Sequence, residues 1–446
     1  MCSSTWASGA PPAVSPLKSK TIRTARMRFP PQSKNRLAPD TLPSIRVSDG
    51  TWTVPSAEPA MFERILTQVP LPGQRPSCSP NRREHRRPEI RGEVYRPADV
   101  YAIYLVMKAE RLAAGALVLL FAAIYGLTLL PGIGPTGDNI KFQYVGRVLG
   151  VPHATGYPLY LVLNHLFTAP PLKSVAFRAN LMSAVFAVLT LVFLFLALSR
   201  LTANAAAAFV ASSFFGLTAT FWSQAVVAEV YTLTAFFLAL ILWSLLEWRA
   251  TGRDGYFLVF LCAYGLSLGN HLTVVACLPA ALVFVLLVAP GTFRRLKFWL
   301  FGLAALVVGV GQYGLLFLRT AQEAPYLEHE IRTLNDLVLL VTGHQFRSQM
   351  FAFSVKELLA DRIPHFIRAL LEDITWPGLT LALAGLVFLF LRRRKVFVLC
   401  FLAILVQSIW ILSTDIPDVE THMIPVSLIC SLAAGFGLTS LMSLLR

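Results

Sequence analysis

The sequence predicts an all-α polytopic membrane protein of about ten transmembrane helices. Three observations carry that expectation. Of 446 residues, 55% are hydrophobic and only 14% charged, whereas a soluble domain carries about a quarter charged. The apolar residues gather in runs close to the roughly twenty residues that span a bilayer. The basic residues sit in short segments between those runs, on alternating sides of them. A net charge of +15 would suggest nucleic acid in a soluble protein, but in this distribution it reports topology, and no nucleic-acid partner is expected.

Residues 1–106 hold fifteen of the 28 prolines and sixteen Lys/Arg against eight Asp/Glu, with no sustained periodicity. Such a segment buries too little apolar surface to offset its ordering entropy, so a disordered basic extension is expected. It lacks the apolar region and small-residue cleavage site of a signal peptide. Met107 stands directly before Lys108, Glu110, Arg111 and the first apolar run, as an initiator before a membrane anchor would. Residues 1–106 are therefore read as a dispensable tail or a mis-called start, and 107–446 as the membrane domain.

From Leu112 onward, crossings are expected at 112–130, 176–199, 205–221, 231–248, 256–270, 272–290, 297–317, 377–391, 396–413 and 422–444. With the basic tail inside, Arg200, Arg249, Arg253, Arg294, Arg295, Lys297, Arg392 to Lys395 and Arg446 all fall on the cytoplasmic side. The outer side then receives the loops 131–175 and 319–376, the Trp222 to Glu229 turn, the Asn270-His271 turn, and Asp415 to His422. This count needs the piece 159–169 to lie in the interface, for which its length is suited. The scattered cysteines, among them Cys262, Cys277, Cys400 and Cys430 in apolar runs, show neither metal-ligand spacing nor a disulfide framework.

Almost every acidic residue after Arg111, and the histidine-bearing turns, thus collect on the outer face, away from ATP and nucleotide sugars. No phosphate-cradling glycine motif appears, which agrees. Asp138, at the start of a helix, serves either as its N-cap or as a general base. Lys141 and Arg147 follow on that helix, either as solvated cations or as holders of an anionic phosphate. His153 to Tyr160, with Gly156 and Pro158, implies a fixed non-helical backbone, tolerated at membrane depth only where it is buried or lines a cavity. Glu229 lies at an apolar boundary, and an ionisable group at that depth is a functional candidate. Asn270 and His271 form a polar turn inside an apolar stretch. Arg319 closes the span before the long outer loop, and Asp415, Asp418, Glu420 and His422 open the last. That cluster leaves a divalent metal open, on generic spacing.

Gly137-Asp138, the block Leu149-Gly150-Val151-Pro152-His153 to Tyr160, Arg178-Ala179-Asn180-Leu181, Trp222 to Tyr231 and Leu268-Gly269-Asn270-His271-Leu272-Thr273 together resemble a family of membrane proteins long labelled domain of unknown function 2723. Its animal representative is a protein O-mannosyltransferase acting on plexin-type domains. The resemblance covers roughly 107–446 and implies a GT-C type glycosyltransferase with its site in the first extracytoplasmic loop. It implies a polyprenyl-phosphate-linked sugar donor and a hydroxyl acceptor on protein or glycolipid. By motif matching, Asp138 is the implied base, and His153, Glu229 and His271 are pocket residues. Lys141, Arg147, Tyr157, Asn270 and Arg319 are taken as further substrate-binding candidates. Many relatives carry an acid where this chain has Lys141. The expected location is a bacterial inner membrane with the site facing outward, or the ER membrane in a eukaryote. The competing reading is a transporter or lipid flippase, which would show inverted repeats and charges near the midplane.

Overall fold

The computed structural model describes residues 46–48, 51–53, 97–134 and 137–445. Most of the extension expected to be disordered, and Arg446, lie outside the described residues. Within that extension β1 (Arg46–Ser48) and β2 (Thr51–Thr53) pair antiparallel, Arg46 opposite Thr53. The membrane region is a separate unit and is helical. Its first helix, α1 (Pro97–Thr128), begins ahead of Met107, so the boundary expected there falls inside a helix.

Three short helices follow: α2 (Asp138–Phe142), α3 (Val145–Val148) and α4 (Pro158–Thr168). Then come α5 (Val175–Thr202), α6 (Ala205–Gly216), α7 (Ala219–Ala225), α8 (Tyr231–Thr251) and α9 (Asp254–Ser267). A 3₁₀ turn, Leu272–Cys277, leads into α10 (Leu278–Val288), which is followed by α11 (Leu296–Gly311), α12 (Gly314–Ala321) and α13 (Leu334–Val341). The chain ends with α14 (Ile363–Arg392), α15 (Arg394–Ser413), α16 (Val419–His422) and α17 (Ile424–Leu444).

Among the described residues, seven helical segments are long and apolar enough to cross a membrane; α6 with α7 is a pair bent by 73°, and α9 and the 272–288 segment are shorter apolar helices. These ten segments lie where the ten crossings were expected, with shifted ends, and seven of them, or eight with the bent pair, have the length and composition of a crossing. Side-chain caps set several boundaries: Ser174 Oγ accepts from Phe177 N at 3.1 Å, and Asn204 Oδ1 from Ala207 N at 3.1 Å. Gly252, at φ 65°, closes α8.

Two expectations need correction. The segment 319–376, expected as a loop, is largely helical, because helix continues from Val355 through Arg392 with one non-helical residue, Thr375. Its 355–376 part is amphipathic, with apolar residues three and four apart between charges, so a search for unbroken apolar runs passes over it. Second, one helix starting at Asp138 was expected to carry both Lys141 and Arg147. It breaks after Phe142, and Arg147 lies on α3.

The bundle is centred on α17, α8 and α5, which are the most enclosed crossings. Lipid offers no hydrophobic drive between helices, so close approach depends on small residues. A Cβ on Gly385 of α14 would run into the Ala433 carbonyl of α17, and one on Gly437 into the Leu381 carbonyl. At one end of the bundle Arg200, in the last turn of α5, makes two 2.8 Å hydrogen bonds to Glu247 of α8. At the other end the first turns of α5, α8 and α17 meet the polar turns.

Buried Asp373 of α14 ties the bent pair to the core, accepting from Thr220 N at 3.1 Å and from Ser427 Oγ at 2.7 Å. Replacing it with alanine strands both donors. Asp373→Ala is expected to cost about 2 kcal/mol, read as a lower thermal-unfolding midpoint in detergent; an unchanged midpoint would show that α7 is held by other contacts.

Candidate active site

The site is built from backbone that is not helical, so its polar groups need partners elsewhere. Gln143 supplies several. Its Oε1 accepts from Gly134 N at 2.9 Å, and its Nε2 donates to Gly132 O at 3.1 Å and to Asn180 Oδ1 at 2.9 Å. Fully buried Asn180, on α5, also accepts from Ala228 N at 2.9 Å and donates to Leu130 O at 2.8 Å. The ends of α1 and α7 are thereby fastened to the loop that carries Asp138. From below, α4 supports α2 and α3: Asn164 Nδ2 donates to Phe142 O at 3.2 Å and His165 Nδ1 to Arg147 O at 3.0 Å.

α3 ends at Leu149 in the left-handed region (φ 48°). The carbonyls it exposes are taken by Arg319, whose Nε donates to Leu149 O at 2.8 Å and Nη2 to Val148 O at 2.9 Å. Next to them the chain meets a distant strand-like stretch. Val151 N donates to Tyr326 O at 2.9 Å, and Glu328 N to Val151 O at 2.8 Å. Gly150 permits this approach, since a Cβ there would lie 2.6 Å from the Tyr326 carbonyl oxygen. The pairing delivers Glu328 to the site.

Lys141 is the centre of what results. Its Nζ lies 3.1 Å from Asp138 Oδ1, 2.9 Å from Glu328 Oε2 and 2.9 Å from His153 Nδ1. An ammonium only donates, so Nδ1 must accept and a neutral His153 carries its proton on Nε2. That nitrogen faces Asp138 Oδ2 at 3.4 Å and the Tyr157 hydroxyl at 3.2 Å. Burial depresses the His153 pKa, against the pull of Asp138, which keeps the ring neutral. For Lys141, burial opposes the charge, but the Glu328 hydrogen bond and the Asp138 charge outweigh it and raise the pKa. For Glu328, burial is outweighed by the Lys141 hydrogen bond and charge, and the pKa falls. The Asp138 side chain remains 49% exposed, open to an incoming group.

A ring cluster continues from this corner. Tyr157 stacks on His271 at 6.0 Å between centroids, and His271 meets Tyr231 at 5.6 Å and His422 at 5.6 Å. Tyr231 donates its hydroxyl to Asp418 Oδ2 at 2.9 Å, and Thr421 Oγ1 donates to the same oxygen at 2.8 Å. Burial, reinforced by His422, pushes the His271 pKa down to about 3, so it too is neutral. Glu229 lies buried between the two carboxylate corners, its backbone clamped by Ser183, which accepts from Glu229 N at 3.2 Å. Burial first, then the charges of Asp138 and Asp418, push its pKa up to about 8.

Of the residues singled out in the sequence, Asp138, Lys141, His153, Tyr157, Glu229 and His271 come together. Asn270 is buried beside them but acts on the scaffold, donating to Val230 O at 3.1 Å and Thr234 Oγ1 at 2.8 Å. Arg319 holds backbone. Arg147 is exposed, with no side-chain partner among the described residues. The acidic corner before α17 does not converge on one point: Asp418 turns to Tyr231, whereas Glu420 faces His365 at 3.9 Å. Among the described residues no three His, Cys, Asp or Glu side chains are arranged to hold a metal ion. Where Asp138, His153 and Glu328 approach one another, the Lys141 ammonium fills the middle. Glu328 and Ser183 are the contributors the sequence did not signal.

Glu229 keeps its proton in the folded protein up to about 8, against a reference value of 4.5. The stability this contributes is complete below the reference value, declines as pH rises and is gone above the folded one. Glu229→Gln has no such proton to lose, and is expected to flatten the fall in thermal midpoint across that window. An equal fall in the variant would assign it to another group.

Part of the chain is similar to known proteins. Residues 138–292 match the N-terminal domain model of the protein O-mannosyl-transferase TMEM260 family. The mouse protein O-mannosyl-transferase TMEM260 is 31% identical over 181 residues, covering 40% of this chain and 25% of the relative. The Dictyostelium discoideum protein is 22% identical over 322 residues, 65% of this chain and 38% of the relative. The chain therefore spans between a quarter and two-fifths of the curated relatives it matches. Among solved structures, ArnT from Cupriavidus metallidurans bound to undecaprenyl phosphate superposes with a TM-score of 0.54 at 16% identity, over 72% of this chain and 59% of ArnT. Its apo form gives 0.51 at 15% identity, over 73% and 60%. At such identity the likeness shows the fold alone. Residues 138–292 of this chain are thus similar to the N-terminal domain of the protein O-mannosyl-transferase TMEM260 family, and the chain shares its fold with ArnT.

Proposed function

We propose that the chain is a membrane glycosyltransferase that moves a sugar from a polyprenyl-phosphate-linked donor to a hydroxyl acceptor on protein or glycolipid, with Asp138 as general base. The observation that carries this reading is the half-exposed Asp138 carboxylate, oriented by Lys141 and His153 beside a wall of neutral rings. The names of the mouse and Dictyostelium relatives support transfer and point to mannose. The undecaprenyl phosphate bound by ArnT supports the donor class. The side away from the basic loops is the proposed working face, outside the cytoplasm.

The acceptor oxygen attacks the sugar's anomeric carbon, and its proton passes to an Asp138 oxygen. The bond from that carbon to the donor phosphate breaks, and the electron pair leaves with the phosphate. Lys141 supplies a fixed positive charge next to the base, and exposed Arg147 offers a planar fork of donors to the departing phosphate. His153 donates Nε2–H toward Asp138, which aims the carboxylate. The ionisable side chains of the candidate site gather at one end of the crossing helices and not at their midpoints, which does not favour the transporter reading.

Incubating the purified chain with radiolabelled polyprenyl-phosphate sugars and following label into protein and lipid tests the reading directly. Asp138→Asn should lower turnover by about 10² to 10⁴ with insertion and folding intact; wild-type turnover in that variant would remove the proposed base. Lys141→Met leaves Asp138 and Glu328 facing each other without their shared cation. Turnover is expected to fall about tenfold or more, with partial recovery in Lys141→Arg. Equal turnover in Lys141→Met would make the ammonium a structural contact only.

A further inference from the structure

At the end of the bundle opposite the candidate site, Arg200, Leu201, Leu246, Arg249, Ala250 and Arg393 line a shallow concavity with about 20 Å³ enclosed, the rest open to the surroundings. We propose that it is a binding site for the phosphate of an anionic lipid head group, independent of the transfer reaction. Its location follows from the helices. Glu229 and Tyr231 stand at the start of α8 and Arg249 in its last turn, and 21 helical residues place those ends roughly 30 Å apart. The pocket therefore lies at the other bilayer interface, at the depth of lipid phosphates.

The charge balance points to an anion. Arg200 is committed to Glu247 through two 2.8 Å hydrogen bonds. Half-buried Glu110 lies close to that same pair, its field acting on both. Arg249 and Arg393 have no carboxylate partner among the described residues, although the charge of one bears on the other. Two neighbouring guanidinium groups, partly withdrawn from water, repel each other until an anion sits between them. A phosphate accepts from both planar forks.

A C-terminal helix position alone explains a single arginine per helix through the dipole. Here one comes from the α8 terminus and one from the α14–α15 corner, and both line a concavity with an apolar wall of Leu201, Leu246 and Ala250. With only about 20 Å³ enclosed, the concavity admits a small group at its mouth, which a phosphate matches and a nucleotide does not. Exposed Arg392, Arg394 and Lys395 add a positive field that draws anionic lipid toward it.

The test uses the full chain in nanodiscs of phosphatidylcholine alone and of phosphatidylcholine with phosphatidylglycerol. Lipid retained by the intact protein is read by native mass spectrometry, and the thermal midpoint is measured in parallel. Wild type should retain phosphatidylglycerol over phosphatidylcholine and melt higher in its presence. Arg249→Gln with Arg393→Gln should lower that preference about tenfold, whereas exposed Arg253→Gln should leave it unchanged. Lysine at both positions keeps the charge, loses the fork and should give an intermediate value in the folded, monodisperse fraction. Equal retention in the double glutamine variant overturns the site. Stabilisation by inorganic phosphate with none from the lipid overturns the lipid as its ligand.

Discussion

The ion contacts of Lys141 are the constraint on which the rest of the site depends. Two carboxylates, Asp138 and Glu328, approach one histidine near a low-dielectric boundary, where like charges repel far more strongly than in water. The ammonium between them, at 3.1 Å and 2.9 Å, turns that repulsion into a clamp. Because an ammonium has no acceptor, it also selects the tautomer of His153 and so decides which nitrogen faces Asp138. A neutral residue at 141 would leave each of these three groups to find its own orientation.

That clamp joins segments far apart in the chain, and the scaffold has to bring them together without a sheet. It does so with single side chains that answer for several backbone groups at once. Gln143 and Asn180 fasten the ends of α1 and α7, and Arg319 takes two carbonyls left open by the left-handed turn at Leu149. Every irregular turn at this depth would otherwise leave unpaired amides and carbonyls, at a cost of several kcal/mol each. The polar residues of this region are thus divided between those that hold backbone and those left exposed. Arg319 and Asn270 belong to the first group, Asp138 and Arg147 to the second.

The crossings were legible because a bilayer demands about twenty apolar residues per helix, and the convergence of polar turns followed from counting sides. Glu328 was not legible. It is one of several acids in a long segment, and it reaches the site through two backbone hydrogen bonds beside Gly150, a pairing that leaves no periodic trace. The break between Phe142 and Val145 was hidden for a related reason: it falls at Gln143, whose side chain bonds Gly132, Gly134 and Asn180, partners that no local pattern announces. Arg319 stood among the substrate-binding candidates because sequence cannot show that its guanidinium donates to two backbone carbonyls.

Glu229 is what makes these charges compatible with an anionic donor under the proposed reading. Its field partners are Asp138 and Asp418, and each has its own support: Lys141 for the first, the Tyr231 and Thr421 hydroxyls for the second. Glu229 has no cation in contact among the described residues, and burial with those two charges pushes its pKa up to about 8. Were it ionised, a further negative group would join Asp138, Glu328 and Asp418 around the space that the donor phosphate enters under that reading, and would repel it through a poorly screened medium. Protonated, it removes one of those charges while keeping a hydroxyl donor. The same burial that raises its pKa therefore lowers the electrostatic barrier to the donor, and α5 enforces that burial through Ser183, the residue that clamps its backbone.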